Sequence, residues 1–376
     1  MKKLLIATAM AALMSTAVNA ETIKLGVILG YTGPIESLTP DMAAGAELAI
    51  SEVSKSGALL GGAKVVSVRG DTTCTDSAAA TAATERLVTS DNINAIVGGD
   101  CSGVTTAMLQ NVALANGIVM VSPSATSPAL STIKDNGLFF RTAPSDARQG
   151  QVLTAVLKDK GVKSAALTYT NNDYGKGLAN SIKTNFEKSG GKITISAAHE
   201  DGKADYTAEV GALAAAGGDV LIVAGYLDQG GKGIIQAALD TGAFETFVLP
   251  DGMIGDSLPM AIGKDLNGSF GTVPGTDSPG AAKFGAMAKA AGFKAGPFAS
   301  ESYDAAALIM LAMQAAGSSK SKMLKDKIMG VANAPGTKIY PGELAKGLKI
   351  LANGGEVDYV GASAVELIGA GESAGN

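Results

Sequence analysis

Short apolar runs alternate along the chain with longer segments in which apolar residues recur every three or four positions. The run 22–29 is typical of a buried strand, and the segment 41–54 that follows it has the spacing of an amphipathic helix. The apolar residues on one face of that helix are Met42, Ala46, Ala49, Ile50 and Val53. A strand followed by such a helix predicts a βα unit.

The same alternation repeats over most of the chain. In the first series the pattern predicts further strands at 64–68, 95–97, 118–121 and 139–144, and helices at 77–90 and 104–116. The second series predicts strands at 164–169, 192–197, 220–224 and 247–250, and helices at 177–189, 206–216 and 231–241. Such alternation is typical of parallel sheets covered by helices on both faces. We therefore expect two α/β lobes, with a ligand cleft at the carboxyl ends of their strands.

The first twenty residues have the pattern of an export signal. Lys2 and Lys3 precede an apolar run at 4–13, and small residues continue to Ala20. We expect cleavage after Ala20, which makes 1–20 a signal peptide and Glu21 the first mature residue. The alternative is an N-terminal membrane anchor, but the apolar run is shorter than the roughly 20 residues that a membrane-spanning helix needs. The chain is therefore predicted to be exported.

Length and charge favour a two-domain protein that binds a small ligand. Without the signal, 356 residues remain, which is more than one hydrophobic core usually serves. They carry 28 basic against 35 acidic residues, and this excess of negative charge argues against nucleic acids and anionic membrane surfaces as partners.

The two cysteines, Cys74 and Cys101, both lie in the exported part. An oxidising compartment favours a disulfide between them over a metal site. Two buried free thiols are the alternative, because sequence alone does not show that the sulfur atoms lie within reach of each other.

Catalytic chemistry finds little support in the sequence. The single histidine, His199, follows a predicted strand, and we expect it to be exposed in a loop. Segment 99–103 contains a serine between glycines but lacks the G-x-S-x-G spacing of a nucleophile elbow. No cluster has the spacing of a zinc site. We therefore predict neither an enzyme nor a cofactor.

Several loop motifs resemble one known family. The strand IKLGVIL is followed, in order, by GYTGPI, DTTCTD, GGDCSG, VMVSPSATSP, FFRTAPSD, TNNDYGKGL and ESYDAAALI. The mature chain thus resembles the periplasmic branched-chain amino acid receptors, the Leu/Ile/Val-binding components of ABC transporters. The resemblance implies a type I periplasmic binding protein with two Rossmann-like lobes and a three-segment hinge. It assigns 21–140 and 271–359 to the first lobe, and 141–270 and 360–376 to the second.

In this family, first-lobe loops hold the ligand carboxylate. The corresponding residues here are Ser102, Ser124, Ala125 and Thr126. Both loops precede predicted helices, whose free N–H groups and positive dipole end would favour an anion. For each hydroxyl, simple capping of the helix is the alternative.

The resemblance assigns the ligand ammonium to the second lobe. The matching residues are Tyr174, Tyr226 and Asp251. A carboxylate would form charge-assisted hydrogen bonds with an ammonium group, and a tyrosine ring would add a cation–π contact. The alternatives are an Asp-Gly turn at Asp251 and ordinary packing of the two tyrosines at the cleft edge.

Ligand selectivity does not transfer from the family. Leu38 stands near the position of a first-lobe tyrosine of the leucine receptors, and Asp251 replaces a glutamate. Candidates for the side-chain pocket are Tyr31, Leu38, Asp100, Leu227 and Met253. The family implies capture of an amino acid or a similar solute by hinge closure, followed by delivery to the membrane permease of an ABC transporter. Alternatives are a receptor for aromatic acids or amides and a sensor that presents its ligand to a chemoreceptor or kinase.

Overall fold

The computed structural model describes residues 21–375. The predicted export signal and its cleavage site lie outside the described residues, apart from Glu21. Within 21–375, no helix combines the length and the apolar character that a membrane crossing requires.

The first sheet is built from the first series of strands. Its order is β13-β14-β5-β4-β3-β1-β2, and neighbouring strands are parallel except for the antiparallel pair β13 and β14. The strands are β1 (Thr22–Leu29), β2 (Lys64–Asp71), β3 (Ala95–Gly98), β4 (Met120–Ser122), β5 (Phe139–Pro144), β13 (Leu367–Ile368) and β14 (Glu372–Ser373). The continuous burial of β3 and β4 fits a parallel sheet that is covered on both faces.

The second sheet has the order β10-β9-β8-β6-β7, with all neighbours parallel. Its strands are β6 (Ser164–Thr170), β7 (Lys192–His199), β8 (Val220–Ala224), β9 (Phe247–Leu249) and β10 (Phe270–Gly271). A small parallel pair, β11 (Thr337–Ile339) and β12 (Val357–Tyr359), stands apart from both sheets. The predicted α/β fold with two sheets is confirmed.

Helices cover the sheets. Their bounds are α1 (Thr39–Ser56), α2 (Ser77–Thr89), α3 (Ser102–Met108), α4 (Leu114–Asn116), α5 (Asp146–Asp159), α6 (Asp173–Lys188), α7 (Thr207–Ala216), α8 (Gly230–Asp240), α9 (Ser257–Ile262), α10 (Pro279–Ala291), α11 (Ala299–Ala316), α12 (Ser321–Ala332) and α13 (Leu344–Ala352). A π-helical turn, Leu109–Ala113, joins α3 to α4. The five apolar residues predicted to share one face of α1 are all buried.

Helix α1 packs closely against α11. A Cβ added at Gly45 of α1 would lie 2.2 Å from the backbone oxygen of Ala299, the first residue of α11. The hydrogen atom of glycine therefore permits this close contact. Because every residue of α11 from Glu301 through Met313 is buried, it forms the centre of the first lobe rather than its surface.

The C-terminal segment corrects one expectation. We assigned 360–376 to the second lobe, but β13 and β14 join the first sheet, where β14 pairs with β5. The buried ion pair between Arg141 of β5 and Glu372 of β14 stabilises that pairing. The other lobe boundaries remain predictions.

Candidate functional site

A cleft lies between the two lobes, at the carboxyl ends of their strands. The residues that line it are Ile35, Leu38, Asp100, Cys101, Ser102, Ser124, Tyr174, Tyr226, Asp251, Gly252 and Phe298. Five of the seven residues proposed as ligand contacts are among them, and they come from both lobes.

On the first-lobe side, Ser102 begins α3, which follows β3 after the short segment 99–101, and it is buried. Its Oγ accepts a hydrogen bond of 3.0 Å from the backbone N–H of Ser127. A serine hydroxyl that accepts one hydrogen bond still has its own proton to donate. Ser102 can therefore donate to an anionic group in the cleft.

Hydrogen bonds of two serine hydroxyls stabilise the loop after β4. Ser122 Oγ accepts from the backbone N–H of Ala125 at 2.9 Å, and Ser124 Oγ donates to the backbone oxygen of Asp100 at 3.2 Å. Ser124 lines the cavity, but Ala125 and Thr126 do not. The N–H of Ala125 is thus already used by the protein.

This loop also differs from its predicted form. We expected an α-helix to begin here, but Pro128–Ser131 forms only a short 3₁₀ turn, whose N-cap is Ser127. The N–H groups of Ala125 and Ser127 bond instead to the hydroxyls of Ser122 and Ser102. A helix dipole therefore acts on the cleft from α3 and not from the second loop.

A disulfide fixes the approach to Ser102. It joins Cys74 to Cys101, the N-cap residue of α3, and confirms the predicted pairing. The two cysteines are separated by 27 positions, and closing a loop of that size stabilises the fold by about 3–4 kcal/mol. The neighbouring Asp100 is also structural, since its carboxylate accepts from Gly30 N at 2.5 Å and from Thr72 Oγ1 at 3.1 Å.

On the second-lobe side, Tyr174 and Tyr226 stack, with ring centroids 5.1 Å apart and planes 15° apart. Tyr174 donates a hydrogen bond of 2.7 Å to Oδ1 of Asp251, and Gly252 N donates to the same oxygen at 2.9 Å. Burial raises the pKa of Asp251, although the hydrogen bond from Tyr174 opposes this effect. The three predicted second-lobe residues therefore form one buried group.

Sequence reasoning missed a second buried acid, Asp146. It is the first residue of α5, its side chain has no exposed surface, and neither carboxyl oxygen has a hydrogen-bond partner among the described residues. Its backbone N–H donates to Thr126 O at 2.8 Å, so it lies beside the Thr126 hydroxyl, whose proximity lowers the pKa of Asp146. Burial raises the pKa of Asp146, and the nearby negative charge of Asp251 raises it further. The signal that could have found it is an aspartate at a strand end, in FFRTAPSD.

The buried side chain of Arg141, five residues before Asp146 in the sequence, is already bonded to other groups. Arg141 forms an ion pair with Glu372 and donates hydrogen bonds of 2.9 Å to Ala125 O and to Ser127 O. Its charge lowers the pKa of Asp146, but burial and the repulsion from Asp251 prevail. Neither Asp251, which lines the cavity, nor Asp146, which is buried but does not line it, has an ion-pair partner among the described residues.

Comparison with known proteins gives the family. The chain matches the family described as Periplasmic binding protein over residues 22–340. The chain belongs to this family. It is 31% identical over 325 residues to the Leu/Ile/Val-binding protein homolog 3 of Brucella melitensis biotype 1, an alignment covering 84% of this chain and 85% of that protein.

Solved structures share the fold of this periplasmic binding protein. A leucine binding protein, LivK, from Thermotoga maritima MSB8 has a TM-score of 0.78 at 22% identity, with 93% of each chain covered. A solute binding protein of an ABC transporter from R. palustris, in complex with benzoate, has a TM-score of 0.76 at 20% identity, with 94% of this chain and 91% of that chain covered. Likeness at this level of identity shows the fold alone.

Other sequence expectations for this binding protein fared differently. Leu38 and Asp100 line the cavity, but Tyr31, Leu227 and Met253 do not, while Ile35 and Phe298 were missed.

The expectation of an exposed His199 is wrong. Strand β7 continues to His199, which is 1% exposed, and its Nδ1 hydrogen-bonds to Thr168 Oγ1 at 2.8 Å. Burial lowers its pKa to about 4, so it is neutral at physiological pH.

Proposed function

We propose that this periplasmic binding protein captures an amino acid in the cleft and delivers it to an ABC transporter. The names of its relatives support this proposal, since they include Leu/Ile/Val-binding proteins. On this account the chain is exported, its signal is cleaved after Ala20, and its partner is a membrane permease.

The observation that carries the proposal is that the buried acid Asp251 lines the cavity together with Ser102, while a second buried acid, Asp146, lies close enough to feel the charge of Asp251. A ligand ammonium between Asp146 and Asp251 would supply the positive charge that these carboxylates lack, with charge-assisted hydrogen bonds. The ligand carboxylate would then face Ser102 and the N-terminus of α3, where a hydroxyl and a positive dipole end favour an anion. An α-amino acid carries both charges at adjacent positions.

An aromatic acid is less suited to this cleft. It carries a carboxylate but no ammonium group, so both acids would stay buried without a cation. Leaving a charge unpaired in the interior costs several kcal/mol. The structural likeness to a benzoate-bound protein therefore does not favour benzoate here, because benzoate offers the buried acids no ammonium group.

The ligand would act by binding both lobes. Ser102 and Ser124 belong to the first series of strands, and Tyr174, Tyr226 and Asp251 to the second, so a bound zwitterion bridges the lobes and stabilises their closed arrangement. The transporter would then recognise the closed form.

A thermal-shift screen tests this function. The mature chain is refolded to remove carried-over ligand and is screened against α-amino acids, γ-amino acids, small amides and aromatic acids. Because a ligand that binds only the native state raises the unfolding midpoint, we expect one class of α-amino acid to raise it. We expect Ser102→Ala and Asp251→Ala to abolish the rise. A shift with aromatic acids that is insensitive to Asp251→Ala would refute the proposed role of the acids.

A further inference from the structure

The lobes also touch at the mouth of the cleft, outside the ligand cavity. The backbone N–H of Asp228, after β8 in the second lobe, donates to Pro34 O at 3.0 Å, in the loop after β1 of the first lobe. The Asp228 carboxylate accepts from the backbone N–H of Ser37 at 2.9 Å through Oδ2. One second-lobe residue thus binds the first-lobe loop through both its main chain and its side chain.

A third residue orients this carboxylate. Ser257, at the start of α9, donates to Oδ1 of Asp228 at 2.5 Å, and its Oγ lies 3.2 Å from the Oγ of Ser37. We call Ser37, Asp228 and Ser257 the mouth contact. None of the three lines the ligand cavity.

A second bridge across the mouth provides a comparison. Lys294, in the first-lobe segment between α10 and α11, forms an ion pair with Asp256 of the second lobe. Their side chains are 76% and 67% exposed. Exposed pairs of this kind contribute at most about 1 kcal/mol, because water and salt screen them. Asp228 is half-buried and accepts hydrogen bonds from Ser37 in the first lobe and Ser257 in the second. We therefore expect Asp228 to stabilise the closed form more than the pair of Lys294 and Asp256 does.

We propose that Asp228 is a positioning residue that holds the lobes closed and so sets the rate of ligand release. This inference rests on the proposed function. Its physical basis is that the hydrogen bond between Ser37 and Asp228 exists only while the lobes meet. A contact that is present only in the closed form stabilises that form relative to the open one.

The kinetic consequence is specific. The ligand enters the open cleft before the mouth contact forms, so loss of Asp228 leaves the association rate nearly unchanged. Release requires the mouth to open, so loss of Asp228 raises the rate of release. Hydrogen bonds to a charged group contribute about 1.5–3 kcal/mol, and because Ser37 is exposed we take the lower end of this range, which corresponds to a release that is roughly tenfold faster. Among variants of one binding interface, differences in affinity likewise arise mainly from the dissociation rate.

Stopped-flow kinetics with leucine, or with whichever amino acid the thermal-shift screen selects, tests this inference. The variants are Asp228→Ala, Asp228→Asn and, as the matched control, Asp256→Ala. We expect release at least tenfold faster in Asp228→Ala, an intermediate rate in Asp228→Asn, which keeps one accepting oxygen, and a change of less than about fivefold in Asp256→Ala.

Two outcomes distinguish the inference from the proposed function. If the wild-type chain binds none of the amino acids, the proposed function fails. If it binds but Asp228→Ala releases ligand no faster than Asp256→Ala, or changes only the association rate, the role of Asp228 is refuted. The unfolding midpoint of each ligand-free variant confirms that the fold is intact, and Asp228→Asn serves as the test if Asp228→Ala does not fold.

Discussion

The side chain of Asp146 is buried near that of Asp251, whose negative charge disfavours ionisation of Asp146. If both carboxylates contact the ligand ammonium, each contributes to affinity through a desolvated, charge-assisted interaction. Removing one partner of such a contact typically costs about 2–5 kcal/mol. The importance of Asp146 for binding is therefore open to a direct test.

We expect Asp146→Asn to weaken amino acid binding by roughly thirtyfold or more, as measured by isothermal titration calorimetry. The substitution keeps the shape of the side chain and removes its charge. The control is Asp173→Asn, which changes an exposed acid in the first turn of α6, next to Tyr174. Equal affinities for the two variants would place Asp146 outside the site.

The same acids make binding depend on pH. Burial raises the pKa of both Asp146 and Asp251 above the ordinary value of 3.8 in the ligand-free protein. The ammonium group favours their ionised forms, so binding must release protons wherever these carboxyls are protonated. We expect affinity to fall as pH decreases through the raised pKa values, and calorimetry in buffers of different ionisation enthalpy to detect the released protons. An affinity that stays constant down to pH 4 would contradict this.

At this scale, all three residues predicted in the second lobe line the cavity, whereas only Ser124 does so from the predicted first-lobe loop 124–126. Asp251, Tyr174 and Tyr226 follow strand ends, where parallel sheets place their sites. Ala125 and Thr126 follow a strand too, but their contacts depend on which hydroxyl their loop meets, and Ser122 takes the N–H of Ala125. Contacts between residues of one irregular loop leave no periodic pattern in the sequence.

Among the elements, α1 and α11 make the closest helix contact that we describe. In Gly45→Ala, the new methyl group would lie 2.2 Å from a backbone oxygen, so the helices must separate. We expect the free energy of unfolding in urea to fall by about 1–3 kcal/mol. Gly211→Ala in α7 is the control, because a Cβ there meets nothing within 4 Å, and we expect it to be neutral or slightly stabilising. Equal effects at the two positions would show that α1 and α11 do not pack as described.

Helix α11 also carries a buried acid, Glu301, which is 2% exposed. Burial raises its pKa from 4.5 to about 7. The folded state therefore binds this proton more tightly than the unfolded state, and the contribution of Glu301 to stability is lost as pH rises from about 4.5 to about 7. We expect the unfolding free energy of ligand-free Glu301→Gln to decline less over this window than that of the wild type. Parallel pH profiles would contradict the assignment.

Most elements could be predicted because their patterns are local. The five apolar residues of α1 lie on its buried face, as the spacing predicted. Strand β7, in contrast, was predicted to end at residue 197 but continues to His199, which the second sheet buries. Residues at strand ends take their exposure from neighbouring elements, which sequence periodicity does not report.

On the scale of the whole molecule, the two series of βα units predicted two sheets with a cleft between them, and this holds. The return of β14 to the first sheet was not predictable from local pattern, because β13 and β14 have only two residues each. Their place depends on pairing with β5 and on the ion pair between Arg141 and Glu372. Both partners are distant in sequence.

The central claim is that both charges of a zwitterion are bound, one by each lobe. Calorimetric titration of the refolded mature chain with leucine, with 4-methylpentanoate, which lacks the ammonium group, and with 3-methylbutylamine, which lacks the carboxylate, tests it most directly. If leucine is not the amino acid that the screen selects, the selected one and its two matching analogues replace this set. We expect the amino acid to bind at least about a hundredfold more tightly than either analogue, since each loses a charge-assisted contact in a buried site. A deaminated analogue that binds as tightly as its amino acid would contradict the account.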